Sequence, residues 1–208
     1  GIAVGERHLY LTDAQGSALL IADRHNGKLL RTVMLGESPE GVSLSADGTL
    51  LAVAMEDDNV VALLGAPDGK ALARIKVHGK NPEHAVFSPD GRWLYVSAEE
   101  AEQVDVIDVA ARRQVGSIDV GKRPRGIAFL PDGSRAYVAC EMAGKIYAID
   151  VAKRTVIAEI LAGLRRRRDH HHPQNPARPA RRRGADEGRA RKGDQFGDFP
   201  WIARWTAD

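Results

Sequence analysis

Charged side chains recur at a regular spacing in two kinds of segment of this 208-residue chain. The acidic kind comprises Glu56, Asp57, Asp58, Glu99 and Glu100. The basic kind comprises Lys80, Lys122, Arg123 and Arg125. Such carboxylates could bind a cation or a basic partner, and neighbouring segments of opposite charge could equally form salt bridges with each other. The acidic segments lack the ligand spacing of an EF-hand loop, so the sequence predicts no metal site.

His84 occupies a position that glycine holds elsewhere, because it follows Gly41 by 43 residues and precedes Gly126 by 42. Histidine is a common ligand of metals and haem iron. A single histidine without partner ligands could equally be a substitution of the glycine that has no role in binding. The sequence therefore marks His84 as a candidate ligand-binding residue and keeps both interpretations open.

Catalytic motifs are missing from the chain. Cys140 is its one cysteine, and a nucleophilic thiol would need a nearby base that the sequence does not indicate. There is no nucleophile elbow, phosphate-binding loop or Cys-x-x-Cys-His haem-attachment motif. The sequence favours a non-catalytic protein and predicts neither catalytic residues nor a cofactor.

A repeat of 42 or 43 residues must position these groups. Its markers are glycines, each followed three residues later by proline in the first three repeats: Gly36, Gly79, Gly121, Gly163, Pro39, Pro82 and Pro124. Asp-Gly pairs keep the same spacing at Asp47, Asp90 and Asp132. A fixed period of this length is typical of stacked supersecondary units.

Each repeat has the composition of a four-stranded antiparallel sheet. Four short runs rich in β-branched and aromatic residues fill residues 125–163, and Pro131-Asp132-Gly133 separates the first two. No helical period is sustained anywhere in the repeats. A parallel β-helix is the competing architecture, but its coils are usually shorter. The sequence therefore predicts an all-β propeller with blades over about residues 1–36, 37–79, 80–121 and 122–164.

Strand order in such blades places both kinds of charged segment on one rim. The basic segments lie where the chain returns to the axis, and the acidic segments join the second and third strands of a blade. His84 then lies at the start of an axial strand, facing the central mouth. The three recurring tyrosines are expected to pack between blades: Tyr10, Tyr95 and Tyr137.

The second strands carry a recognisable signature. They read Tyr95-Val96-Ser97-Ala98 and Tyr137-Val138-Ala139-Cys140, with Ser88-Pro89-Asp90-Gly91 ahead of the former. Over residues 1 to about 164 the chain resembles the YVTN family of β-propeller repeats. The resemblance implies similarity to surface-layer and periplasmic propellers, and more distantly to cytochrome d1, nitrous-oxide reductase and quinoprotein amine dehydrogenase propellers.

Four blades make an incomplete ring for this family, so we expect the chain to be a fragment. The resemblance implies a periplasmic or secreted location, although the chain shows neither a leader peptide nor a membrane span.

Composition changes abruptly at Arg165. Residues 165–208 hold 12 Lys and Arg but only 6 Asp and Glu, with few apolar residues before Phe196. Such a segment is expected to be disordered, or else a frame-shifted translation of a fifth blade. Its basic character could serve nucleic-acid binding, which the sequence does not favour, and its three consecutive histidines do not make a metal site.

The sequence thus favours a non-catalytic propeller scaffold that presents a loop rim to a protein or small ligand. The alternative is a fragment of an enzyme or of a redox or cofactor-associated propeller, either lactonase-like, cytochrome d1-like or quinoprotein-associated.

Overall fold

The structure, a computed structural model, describes residues 1–162. These residues form four antiparallel sheets of four strands each, and within every sheet the strands follow chain order from one edge to the other. Blade 1 contains β1 (Ile2–Val4), β2 (His8–Asp13), β3 (Ala18–Asp23) and β4 (Leu29–Met34). Blade 2 contains β5 (Pro39–Leu44), β6 (Leu50–Met55), β7 (Val60–Gly65) and β8 (Lys70–Lys76). Blade 3 contains β9 (Pro82–Phe87), β10 (Trp93–Ala98), β11 (Gln103–Asp108) and β12 (Arg113–Asp119). Blade 4 contains β13 (Pro124–Phe129), β14 (Arg135–Cys140), β15 (Lys145–Asp150) and β16 (Thr155–Leu161).

This architecture confirms the predicted all-β propeller with an incomplete ring. The tail from Arg165 lies outside the described residues. The predictions that it is disordered or frame-shifted, and that it does not serve nucleic-acid or metal binding, therefore stay predictions. Within residues 1–162 there is no helix with the length and hydropathy needed for a membrane span.

The Asp-Gly pairs close the first hairpin of blades 2, 3 and 4. The amides of Gly48, Gly91 and Gly133 donate to the carbonyls three residues earlier at 2.8 to 2.9 Å, and each of these glycines has a φ of 70 or 71°. Glycine adopts this left-handed conformation without the strain that a Cβ would bring. The turn chemistry therefore explains why the repeats fold as meanders.

Three apolar clusters, one at each junction, hold the blades together. Tyr10 and Leu19 of blade 1 pack with Leu51 and Val53 of blade 2. A second cluster joins blades 2 and 3, and a third joins Tyr95 of blade 3 to strands of blade 4. The predicted packing of the recurring tyrosines between blades holds at Tyr10 and Tyr95, which are both buried. Because the outermost strands are largely exposed, the core lies between neighbouring sheets.

Candidate functional site

Two sets of loops meet at one end of the blades. The amides of Glu56, Glu99 and Glu141, which follow the second strand of a blade, donate to the carbonyls of Ser38, Asn81 and Arg123 at 2.9 to 3.0 Å. The latter three residues lie in the segments that return the chain to the axis. These bonds tie each return segment to the loop of the blade that it enters. We call the surface formed by residues 35–38, 56–59, 77–81, 99–102, 120–123 and 141–144 the axial rim.

Three carboxylates from two blades converge beside the axial rim. Oxygen atoms of Glu56, Glu83 and Glu99 all lie within 4.8 Å of one another, and Glu83 is buried. Glu56 and Glu99 follow β6 and β10, whereas Glu83 is the second residue of β9. We call these three residues the acidic cluster.

Two arginines of blade 4 pair with the acidic cluster. An Nη atom of Arg125 lies 2.8 Å from a carboxylate oxygen of Glu83 and 3.0 Å from one of Glu99. Arg123 donates to Glu99 as well, and both arginines approach Glu141 at 3.4 to 3.8 Å. The salt-bridged rim expected from neighbouring segments of opposite charge is therefore present between blades 3 and 4.

Negative charge is in excess at the acidic cluster. Burial raises the pKa of Glu83 to about 7, and the neighbouring Glu99 adds to this rise while Arg125 opposes it. The hydrogen bond shared with Glu83 lowers the pKa of Glu99. Burial and the charges of Glu40 and Asp57 raise the pKa of Glu56. Near neutral pH, Glu83 and Glu99 thus hold one proton between them for much of the time.

Replacement of Glu83 by Gln should reveal this proton. The Glu83 carboxyl ionises near pH 4.5 in the unfolded chain and near pH 7 in the folded chain. The stabilising effect of the protonated carboxyl is therefore complete below pH 4.5 and is lost as pH rises through 7. The Glu83→Gln variant cannot ionise there. Its free energy of unfolding relative to the native chain should therefore rise by about 1–3 kcal/mol between pH 5 and pH 8, measured by urea denaturation.

Glu100→Gln is the matched control for this pH series, because Glu100 is exposed on the same rim. Its difference from the native chain should be the same at both pH values. A Glu83→Gln difference that is equally flat with pH would contradict the shared proton.

His84 lies between the innermost strands. Its backbone amide donates to Ser97 Oγ at 3.1 Å, and its ring lies against Gly41 of β5, where an added Cβ would come within 2.7 Å of His84 Cδ2. Burial lowers the pKa of His84, and the positive charges of the amino terminus and Arg125 lower it further. His84 Nδ1 is buried and has no hydrogen-bond partner among residues 1–162. The imidazole is therefore neutral at pH 7.

The other predicted site residues are distributed over the axial rim and around it. Lys80, Lys122, Asp57 and Glu100 are exposed rim residues that lie outside the acidic cluster. Asp58, also a rim residue, pairs at 2.5 Å with Arg74 of β8, the outermost strand of blade 2.

Sequence reasoning missed Glu83, the buried member of the cluster, together with Glu40 and Glu141. The repeat contained the signal. Glu40, Glu83 and Arg125 each follow the marker proline, and Glu56, Glu99 and Glu141 each follow the last residue of the second strand. Comparison of these two repeat positions places the charges at the central mouth, whereas the composition of the strand around Glu83 does not single out its carboxylate.

Cys140 is buried between blades 3 and 4. Burial raises the pKa of its thiol to about 11, so the reactive thiolate is scarce at neutral pH. This supports the structural role that the sequence indicated.

A sequence model of the family described as Cytochrome D1 heme domain matches residues 45–174. This is more than half of the chain. The chain belongs to the cytochrome D1 heme domain family. The match confirms the β-propeller, and it does not extend to the YVTN family itself.

Two further comparisons agree with the β-propeller fold. The solved structure of Kuenenia stuttgartiensis hydrazine synthase superposes with a TM-score of 0.72 and 25% identity, covering 77% of this chain and 48% of that one. WD repeat-containing protein 36 of Homo sapiens is 31% identical over 99 residues, which are 47% of this chain and 11% of the human protein. The chain thus spans about half of the first relative and about a tenth of the second.

The family implies a haem, and the described residues do not fit one. The donor atoms near the axis are mainly carboxylate oxygens, which suit hard cations better than haem iron. Within residues 1–162, His84 is the histidine of the axial strand that follows Glu83, and its Nδ1 is enclosed by protein. The guanidinium groups that could pair with the acidic groups of a haem, Arg123 and Arg125, already pair with glutamates.

Proposed function

We propose that this chain is a non-catalytic propeller scaffold whose axial rim binds a basic segment of a protein or a small cationic ligand. The observation that carries the proposal is the convergence of Glu56, Glu83 and Glu99 within 4.8 Å. Three carboxylates so close repel one another, and burial together with the neighbouring Glu99 raises the pKa of Glu83. A cationic group placed beside them would relieve both effects.

Exposed carboxylates extend the negatively charged surface beyond the acidic cluster. Asp57 and Glu100 are exposed on the loops that carry Glu56 and Glu99, so an approaching partner meets them first. Charges at the edge of an interface chiefly steer association and select partners by sign. The positive charge of Lys122, exposed in blade 4, would orient such a partner along the rim.

Titration with a short fluorescent oligolysine peptide at low salt tests the proposal by fluorescence anisotropy. The triple variant Glu56→Gln, Glu99→Gln, Glu100→Gln should bind the peptide roughly tenfold more weakly, because three negative charges are removed. An oligoglutamate peptide should show no such weakening, because the basic residues 165–208 are the same in both proteins. The triple variant Glu6→Gln, Asp68→Asn, Asp132→Asn removes three exposed charges from the turns at the opposite end of the blades and should bind as the native chain does.

Equal weakening in the rim variant and in the control would show that only net charge matters, and would contradict a site at the axial rim. Binding that persists unchanged in the rim variant would contradict it as well.

The family match favours a second candidate, a cofactor-associated propeller. Haemin titration followed at the Soret band distinguishes the two. Since the described residues do not fit a haem, we expect no saturable shift. A saturable shift would favour the second candidate if it persists in the Glu83→Gln variant and is lost in the His84→Ala variant.

Two finer assignments also remain proposals. We infer that the repeats are of the YVTN type, supported by Tyr95-Val96-Ser97-Ala98 and Tyr137-Val138-Ala139-Cys140 on β10 and β14. We also propose a periplasmic or secreted location, which fractionation of the native host cells would test. Recovery with cytoplasmic markers would contradict that location.

A further inference from the structure

A cavity of about 280 Å³ lies between blades 3 and 4, at the end of the blades opposite the axial rim. The start of β10, the turn between β13 and β14 and the turn between β15 and β16 enclose it. Its wall includes Arg92, Trp93, Asp132, Ser134, Val151 and Arg154. Small-molecule sites in proteins start at about 300 Å³, so the space suits a ligand with about one ring. We call this cavity the Trp93 pocket.

Two guanidinium groups contact the indole of Trp93. The Cζ atom of Arg92 lies 4.6 Å from the ring centroid, and that of Arg154 lies 4.4 Å from it. A cation over an aromatic face is attracted by the negative charge of that face. The half-buried indole, which packs on the cluster between blades 3 and 4, thus holds two positive charges at the pocket. Because like charges repel, an anion beside both guanidinium groups would lower their energy.

Neither Arg92 nor Arg154 has a carboxylate partner. No salt bridge within residues 1–162 includes either arginine, and in this part of the chain neither guanidinium donates a hydrogen bond. The adjacent carboxylates of Asp90 and Asp132 instead accept hydrogen bonds from residues of their own turns, at 2.5 to 3.1 Å. The guanidinium donors at the Trp93 pocket therefore remain available to a ligand.

Arg154 can be compared with its counterpart in blade 3. Arg112 and Arg154 each precede the last strand of their blade, with φ of 53° and 56°, whereas blade 2 has Gly69 at this position. Glycine adopts this left-handed conformation with less strain than arginine. Arg112 donates from Nη1 to the carbonyl of Leu72 in the preceding blade at 3.2 Å. Arg154 also reaches the preceding blade, but it meets the ring of Trp93 and no such acceptor.

The junction between blades 2 and 3 has a different cavity at the same end. Its volume is about 220 Å³, and Leu50 holds the register position of Trp93 there. Asp47 and Asp90 lie in its wall, and among the described residues that line it there is no arginine. The aromatic and basic wall is therefore particular to the Trp93 pocket and is not a general product of the repeat.

We propose that the Trp93 pocket binds a small ligand that carries one anionic group, a sulfate or a carboxylate, on a single ring. The planar donors of arginine suit such oxyanions, and Trp93 and Val151 give the ring an apolar wall. Two arginines and one aspartate, Asp132, leave one net positive charge in the wall, which matches a single anionic group. The proposal is independent of the function proposed for the axial rim, which lies at the other end of the blades.

NMR titration of the full chain with phenyl sulfate tests the proposal at the pocket itself. The indole N–H signal of Trp93 is the one that the Trp93→Phe variant lacks. It should shift saturably as phenyl sulfate is added. This local readout is needed because the basic residues 165–208 also attract anions. Inorganic sulfate should bind roughly tenfold more weakly because it lacks the ring, and neutral benzyl alcohol should give no saturable shift.

The variants Arg92→Gln and Arg154→Gln should each weaken binding of phenyl sulfate roughly tenfold. Arg112→Gln is the matched control, because Arg112 holds the turn position of Arg154 in blade 3 and already donates to Leu72. It should bind as the native chain does. Arg154→Gly removes the guanidinium and places in this turn the residue that blade 2 has there, so it should fold and should bind as weakly as Arg154→Gln.

Three results would overturn the proposal. They are a Trp93 signal that does not shift saturably, native affinity in both variants Arg92→Gln and Arg154→Gln, and weakening by Arg112→Gln as large as that by Arg154→Gln. Inorganic sulfate that binds as tightly as phenyl sulfate would overturn the ring-bearing ligand. Benzyl alcohol that binds as tightly would overturn the anionic one.

Discussion

The Tyr95→Ala variant should lose about 3–5 kcal/mol of unfolding free energy, the largest loss that we expect from a single apolar truncation here. Tyr95 is fully buried in the cluster between blades 3 and 4. Its ring meets Phe129 edge-on, with the ring centroids 4.9 Å apart. Truncation removes this contact and leaves a cavity between two sheets that backbone pairing holds in place. Urea denaturation at fixed pH and fixed protein concentration measures the loss.

Tyr95→Phe separates the ring from the hydroxyl. The hydroxyl is buried and has no hydrogen-bond partner in the described part of the chain, so its removal should change the free energy of unfolding by less than about 1 kcal/mol. Tyr137→Ala is the positional control, because Tyr137 holds the same register position in blade 4 and is only half-buried. It should cost clearly less than Tyr95→Ala. Equal losses at Tyr95 and Tyr137 would show that the blade junction contributes nothing beyond the sheet itself.

The regular features of this fold were predictable from sequence because each of them repeats. A turn that needs Gly91 in a left-handed conformation needs Gly133 for the same reason, so spacing alone indicated the hairpins. Tyr10 and Tyr95 recur at one position of the second strand because each faces the next blade. The rim loops were predictable as well, since the strand order of a meander sends the return segments and the second loops to the same end.

The acidic cluster was predictable only in part, since the repeat gives the positions of its members but not the distances between their side chains. Glu83 lies in a strand between Pro82 and His84, where composition gives no sign that its carboxylate will meet Glu99 across the sheet. Arg125 holds the same repeat position with the opposite charge. A periodic pattern predicts what is common to all blades, whereas a pair formed between unlike residues of neighbouring blades depends on tertiary geometry.

Asp105 is the clearest departure from the repeat, and its truncation is the second large effect that we expect. Leu20, Ala62 and Tyr147 hold the same register position in the other blades, and Asp105 is fully buried. Its carboxylate accepts hydrogen bonds from the amide of Gly79 at 2.8 Å and from Nε2 of Gln114 at 2.8 Å.

Gln103 donates a third hydrogen bond to Asp105, at 2.5 Å. Gly79 itself is required at this point. A Cβ there would lie 2.3 Å from the Cβ of Ala98 and 2.9 Å from Asp105 Oδ2, so only glycine brings its amide within reach. The buried carboxylate thus fixes the segment that carries the chain from blade 2 to the axis of blade 3.

Asp105→Ala should therefore cost about 3 kcal/mol, because it leaves a buried amide and two side-chain amides without their acceptor. Asp105→Asn keeps the shape and one acceptor oxygen, and should cost about half as much. Asp119→Ala, an exposed change in the same blade, should stay within about 0.5 kcal/mol of the native chain. Hydrogen exchange adds a local readout, since the Gly79 amide should lose protection in Asp105→Ala far more than the amides of β10 do. If exchange instead rises evenly across blade 3, Asp105 stabilises the sheet as a whole, and its specific role in holding the return segment is wrong.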